Sequence, residues 1–181
     1  VAVEVGISDG TAGFSPFASG SGVILSASGL IVTNHHVVDD AELARVVLQN
    51  GSIYDARIVG TDPLTDLAVL QIEASGLTAI ELGATASLSI GEVAVAVGNP
   101  LGLPGGASVT VGVVSAFDRE VQIAPTEVLF GMLQTDAPIT RGSSGGALVD
   151  SEGKLIGITT AIGVTDAGAE GIGFAIPVEL M

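Results

Sequence analysis

Gly142-Ser143-Ser144-Gly145-Gly146 is the stretch on which the fold turns. Taken alone it reads as a plain flexible loop. It also fits Gly-x-Ser-x-Gly, a pattern whose glycines let the backbone bend sharply and present a serine hydroxyl. On a parallel α/β sheet that elbow is followed along the chain by an acid and then a histidine. The only two histidines, His35 and His36, both lie upstream of Ser144. The order available is therefore His, Asp, Ser, which belongs to paired antiparallel β-barrels.

The rest of the chain agrees. Of 181 residues 26 are Gly, aromatics make up 3% and Trp is absent. Val, Ile and Thr are common, a mix that favours many short strands joined by tight turns. Strands are expected at Val1–Ile7, Ser21–Ala27, Leu30–Asn34, Ala44–Gln49, Tyr54–Gly60 and Leu67–Ile72. A second series follows at Glu92–Gly98, Ser108–Asp118, Val128–Thr135, Gly146–Asp150, Lys154–Ile162 and Gly173–Ile176. Ser28-Gly29, Asn50-Gly51, Asp62-Pro63 and Glu152-Gly153 punctuate them. Amphipathic helices of a parallel α/β layout are not found. The expected fold is all-β: two six-stranded antiparallel barrels, joined near Leu82–Ile90, with the active site between them. Ser8–Ser19, carrying Phe14 and Phe17, reads as a polar surface loop, or alternatively as a contact for another subunit. Val178–Met181 after Pro177 reads as the start of a helix.

Several functions are excluded. The net charge is −15, and Arg45, Arg57, Arg119, Arg141 and Lys154 are scattered, so no basic patch exists for nucleic acid or anionic membrane. With no Cys and no His-Glu-x-x-His, no zinc site is expected, and no Gly-rich loop ends in Lys-Ser/Thr to hold a nucleotide. No cofactor and no metal are called for. The uncharged stretch from Val93 to Phe117 is broken by Asn99-Pro100-Leu101-Gly102-Leu103-Pro104-Gly105-Gly106, whereas a spanning helix needs about 20 apolar residues in a row. Neither a transmembrane segment nor a signal peptide is read. The start at Val1 rather than Met suggests a piece of a longer protein.

The chemistry open to a His, Asp, Ser set is nucleophilic: a hydroxyl attacks, an imidazole takes its proton, and a carboxylate orients the imidazole. Thr33-Asn34-His35-His36-Val37, Thr65-Asp66-Leu67-Ala68-Val69-Leu70, Val97-Gly98-Asn99-Pro100-Leu101-Gly102, Val111-Gly112-Val113-Val114-Ser115-Ala116, Gln134-Thr135-Asp136-Ala137 with the serine loop, and Gly171-Ile172-Gly173-Phe174-Ala175-Ile176-Pro177 occur in that order. Together they resemble the HtrA/DegP family of trypsin-like serine proteases through nearly the whole chain. The resemblance implies a chymotrypsin/trypsin-like fold and serine endopeptidase activity on unfolded or damaged proteins. It selects His36 over His35 and gives the triad His36, Asp66 and Ser144, with the N–H groups of Gly142 and Ser144 as oxyanion hole. Asp62, before Pro63, reads as a turn acid, and so does Asp136. Ser143 stands where the family usually has Asn.

The acid that reads Lys or Arg in trypsin-like pockets lies six residues before the nucleophile, and Pro138 occupies that position. The resemblance places Ile139 and Ile162 on the pocket wall, which implies cleavage after small aliphatic residues; the alternative is that both are core isoleucines. A single protease domain over 1–181 is expected, with an N-terminal barrel at about 1–82, a linker at about 83–90 and a C-terminal barrel at about 91–177. The resemblance implies unfolded polypeptides as partners, a homo-trimer in the full-length protein, an extracytoplasmic location, and any PDZ domain or anchor outside the chain. The rival is a catalytically idle chaperone or peptide-binding module of the same fold.

Overall fold

The computed structural model describes residues 1–8, 13–99, 106–124, 127–160 and 171–181. Its described residues form two antiparallel β structures and almost no helix, as the all-β reading expects. The first contains β1 (Ala2–Ser8), β2 (Phe14–Ser21), β3 (Val23–Ile24), β4 (Leu30–Asn34), β5 (Leu43–Val47), β6 (Ile53–Asp62) and β7 (Leu67–Ile72). The single helical turn α1 (His35–Val38) follows β4 directly. The second contains β8 (Val93–Gly98), β9 (Ser108–Ala124), β10 (Glu127–Thr135), β11 (Ala147–Val149), β12 (Leu155–Thr160) and β13 (Gly173–Pro177).

The second group closes into a six-stranded barrel in the order β10-β13-β12-β11-β8-β9. The first is a seven-stranded sheet in the order β2-β1-β5-β6-β7-β4-β3 rather than a ring of six. Its two edges are one stretch of chain bent at Gly22, so a single polypeptide run turns both ends of the sheet toward each other. A Cβ on Gly22 would lie 2.8 Å from Ile31 Cγ2 and 3.0 Å from Val3 Cγ2, which explains a glycine at the bend.

The expected loop at Ser8–Ser19 is corrected here: Phe14–Ser21 is a strand. It pairs with β1 from Ser8↔Phe14 to Ala2↔Ser21, with a register shift between Val5 and Gly6. Phe14 lies under the Arg45 guanidinium at 4.3 Å, a cation–π contact that anchors the start of β2. β9 also runs past the expected end at Asp118, reaching Ala124 opposite Glu127. The C-terminal helix is only a short 3-10 turn, Val178–Leu180.

Three apolar clusters hold these layers. Val3, Val5, Ile31, Val46, Leu70 and Ile72 fill the first sheet, and Ala94, Ala96, Leu133, Leu148, Ile156 and Ala175 fill the barrel. The third is the seam, where Val23, Val32 and Leu67 of the sheet meet Ala147, Val149, Leu155, Ile158 and Ile176 of the barrel. β4 belongs to both sides. Alternation sends Ile31 into the sheet and Val32 into the seam, so Leu30-Ile31-Val32 reads as an unbroken apolar run. Each such side chain, fully buried, contributes about 1.5–3 kcal/mol. This seam matters for function because the candidate residues lie on both of its sides.

Candidate active site

His36 and Asp66 come from neighbouring strands. β4 pairs with β7 down to Asn34↔Leu67, so α1 leaves β4 where the turn carrying Asp66 enters β7. Asp66 has φ +57, a left-handed conformation that a short polar side chain tolerates. Its carbonyl accepts the His35 N–H at 2.9 Å and the Asn34 Nδ2–H at 3.1 Å. That backbone turn directs the carboxylate at the next residue along. Oδ1 accepts the His36 backbone N–H at 2.9 Å, and Oδ2 lies 2.8 Å from His36 Nδ1.

Burial divides the pair. The Asp66 side chain is 3% exposed and that of His36 is 44% exposed. A buried carboxylate needs donors, and His36 supplies two from one residue. The carboxylate can only accept, so Nδ1 carries a ring proton and points it at Asp66.

The serine loop reaches this face from the barrel between β10 and β11. The Ser144 carbonyl accepts the Ser21 N–H at 2.7 Å, and Gly145 N–H donates to the Thr159 carbonyl at 2.9 Å. A Cβ on Gly20 would lie 2.8 Å from both Val37 methyls and 3.0 Å from the Ser144 carbonyl oxygen. The histidine turn and the serine loop thus meet across Gly20, where no side chain fits. Ser144 is itself buried.

The loop begins with a β-turn. Ser143 N–H donates to the Thr140 carbonyl at 2.9 Å, and Gly142 has φ +89. Arg141 is not among the residues of positive φ, so the turn is of type II, which wants glycine at its third position. Just before it, Ile139 packs with the barrel cluster, and a Cβ on Gly173 would lie 2.7 Å from its Cδ1. Ile162 lies outside the described residues.

The rejected alternatives take ordinary roles. Asp62 accepts the Leu64 N–H at 3.0 Å and the Thr65 hydroxyl at 2.8 Å, an Asx turn. Asp136 accepts the Val113 N–H at 2.7 Å. His35 points its Nε2 toward Asp39 at 3.9 Å. Among the described residues no cluster of His, Asp and Glu is placed to hold a metal, and no helix is long and apolar enough to cross a membrane.

Sequence reasoning gave no role to Ser21, Thr33, Asn34, Thr159 or Thr160, all buried polar residues at the seam. The available signal was polar residues inside apolar strands, as in Ile31-Val32-Thr33-Asn34.

A seven-stranded sheet and a closed barrel meeting at one seam, with the His36–Asp66 pair on one side and the serine loop on the other, form a trypsin-like architecture. The family described as a trypsin-like peptidase domain matches residues 20–158. The periplasmic serine endoprotease DegP of Salmonella typhimurium is 49% identical over 166 residues, 91% of this chain and 34% of that protein. The serine endoprotease DegS of Haemophilus influenzae is 46% identical over 163 residues, 89% of this chain and 47% of that protein. Among solved structures, the HtrA-type protease AlgW with a tripeptide superimposes with a TM-score of 0.84 at 42% identity, covering 99% of this chain and 56% of that one. The chain belongs to the trypsin-like peptidase family, within its HtrA/DegP branch of serine endoproteases. It spans about a third of DegP and about half of DegS.

Proposed function

We propose that this chain is the protease domain of a serine endopeptidase, with Ser144 as nucleophile, His36 as general base and Asp66 as the carboxylate that orients it. The observation that carries this reading is the His36–Asp66 pair: a buried carboxylate holds Nδ1 at 2.8 Å, so Nε2 is the ring nitrogen left for proton transfer. Ser144 Oγ attacks the scissile carbonyl carbon while His36 Nε2 takes its proton. The carbonyl oxygen becomes an oxyanion facing the N–H groups of Gly142 and Ser144. His36 then gives its proton to the leaving amine. Water, deprotonated by His36, hydrolyses the acyl-serine and restores the hydroxyl.

In this reading residues 1–181 form one protease domain, with the β-sheet half at about 1–82, the barrel at about 91–177 and the joining segment at about 83–90. The family resemblance makes Ile139 a wall of the specificity pocket, and Pro138 stands where a basic-specific enzyme has its acid, so cuts follow Val, Ala or Ile. The substrates are unfolded polypeptides, consistent with a relative solved with a tripeptide bound. The location is extracytoplasmic, since DegP relatives are named periplasmic. The full-length protein assembles as a trimer, an expectation from the family alone.

The test is digestion of a denatured protein by wild type and Ser144→Ala, with cleavage sites mapped by mass spectrometry and Ser144 probed by a fluorophosphonate. Wild type is expected to label and to cut after small aliphatic residues. Ser144→Ala is expected not to label and to lose up to about a millionfold in turnover. No labelling and no digestion by folded wild type would make the chain an idle binding module. Cuts mainly after Lys or Arg would refute the pocket alone.

A further inference from the structure

Ser21 ends β2 on the sheet side of the seam and is 1% exposed. Every polar group it has is engaged. Its N–H donates to the Ser144 carbonyl at 2.7 Å. Its hydroxyl donates to the Gly142 carbonyl at 2.7 Å and accepts the Asn99 N–H at 2.7 Å. Its carbonyl accepts the Thr33 hydroxyl at 2.7 Å. A serine hydroxyl has a single proton, and because Asn99 is a donor that proton is committed to Gly142.

We propose that Ser21 is a positioning residue for the oxyanion hole, strapping both ends of the turn that carries Gly142 and Ser144 to the sheet that carries His36 and Asp66. The proposal rests on the catalytic reading above.

The argument follows the carbonyls of the loop. In a planar trans peptide the C=O and N–H point opposite ways, so pinning one aims the other. The Ser143 carbonyl accepts the Thr159 hydroxyl at 2.7 Å and the Gly146 N–H at 2.9 Å, which aims the Ser144 N–H away from β12. The Ser144 carbonyl is held by the Ser21 N–H, and the Gly142 carbonyl by the Ser21 hydroxyl. With the Ser143 N–H also engaged on Thr140, the Gly142–Ser143 peptide is anchored at both its polar groups. That frame supports Gly142 at φ +89 and hence the direction of its own N–H, which belongs to the central peptide of a type II turn. Rotating that central peptide by half a turn gives a type I turn and points the Gly142 N–H the other way. Glycine makes the rotation sterically easy, so the frame around it decides which form persists.

Neighbouring glycines show how tightly the strap is seated. A Cβ on Gly98 would lie 3.1 Å from Ser21 Oγ and 3.0 Å from Ser143 Cα. A Cβ on Gly145 would overlap the Ser21 carbonyl oxygen and Thr33 Oγ1.

The experiment compares wild type, Ser21→Ala and Ser21→Thr in the full chain, with Ser144→Ala alongside. Active sites are titrated with a fluorophosphonate so that turnover is expressed per competent serine. A peptide aldehyde, which forms a tetrahedral adduct, is compared with the product peptide. Losing one direct oxyanion donor costs about 10²–10³ in kcat. An indirect strap is expected to cost about tenfold to hundredfold, with KM and product affinity within about twofold and aldehyde affinity falling in step with kcat. Ser21→Thr keeps the hydroxyl and is expected to recover most of the loss. A role confined to folding would lower the titrated fraction but leave turnover per titrated site unchanged, and that result overturns the proposal. If Ser21→Ala does not fold, Ser21→Cys replaces it, with a weak donor and an expected loss of about threefold to tenfold; unchanged turnover there also overturns it. Full activity of Ser144→Ala would instead remove the catalytic reading beneath the proposal.

Discussion

Asn34 donates its side-chain amide to Thr160 Oγ1 at 3.0 Å, joining the sheet that carries His36 to the barrel that carries Ser144. Both residues are buried, and the same amide nitrogen donates to the Asp66 carbonyl at 3.1 Å. One side chain thus ties the aspartate turn to the seam. Asn34→Ala leaves the Thr160 hydroxyl without that donor and the Asp66 carbonyl with only the His35 N–H. The expected cost is about 1–3 kcal/mol in urea unfolding, together with a lower kcat from a loosened Asp66. An unchanged unfolding midpoint would show that the link carries no stability.

Gly145 in the serine loop leaves no space for a side chain. It has φ +83, and a Cβ there would overlap the Ser21 carbonyl oxygen and Thr33 Oγ1, both held in hydrogen bonds. Gly145→Ala therefore adds backbone strain to steric overlap, a combined cost of about 3 kcal/mol or more. Gly153→Ala is the control for strain alone, because its φ is +81 and nothing lies within 4 Å of the added methyl. Calorimetry is expected to rank Gly145→Ala well below Gly153→Ala in melting temperature. Equal melting temperatures would show that the loop yields freely.

What could be seen in advance was whatever leaves a local pattern. Leu30-Ile31-Val32 was readable as a strand because burial on two faces gives an unbroken apolar run. Asp62 before Pro63 was readable as a turn because its carboxylate bonds its own neighbours. The strand Phe14–Ser21 was not readable, because Ser15-Pro16 and Ser19-Gly20 break any alternation. Its strand character comes from β1 beside it, with a register shift at Val5/Gly6 that absorbs an extra residue. The catalytic candidates stood out through the scarcity of histidine and the order of motifs. Ser21 did not, because its role depends on Gly142, 121 positions away in sequence, and no spacing rule encodes a clamp from the sheet to the barrel.

The C-terminal turn should confer an acid-sensitive part of the stability. Glu179 Oε1 accepts the Thr85 N–H at 2.6 Å, tying Val178–Leu180 to the segment between the two β structures. Partial burial pushes the Glu179 carboxyl up, but hydrogen bonds from Thr85 and from its own N–H outweigh that and hold it below the ordinary value of 4.5. A carboxyl lower in the folded than the unfolded state stabilises above the unfolded value, and that stabilisation fades as pH falls through the folded one. Glu179→Gln is expected to be the less stable protein at about pH 6, with the gap closing by about pH 3. The effect is small, since the group is mostly solvated. A gap that stays constant across this range would assign it to packing rather than charge.

Asp66→Asn tests the catalytic reading without removing any atom of the pair's framework. The amide is nearly isosteric with the carboxylate, and its oxygen retains the role of accepting the His36 backbone N–H, now 2.9 Å from Oδ1. The group facing His36 Nδ1, at 2.8 Å in the wild type, then becomes an NH₂ donor. Nδ1 must accept from it, so the ring proton moves to Nε2, the nitrogen that has to receive the serine proton. The expected result is a folded protein with a melting temperature within a few degrees of wild type and kcat lower by about 10³–10⁴, the scale known for a wrong tautomer in a Ser-His-Asp triad. Fluorophosphonate labelling, which also needs an activated serine, is expected to slow alongside it. Raising the pH is expected to restore part of the labelling rate, because hydroxide can then do the work of the missing base. Wild-type kcat in Asp66→Asn would mean that the buried carboxylate beside His36 serves the fold and not the chemistry.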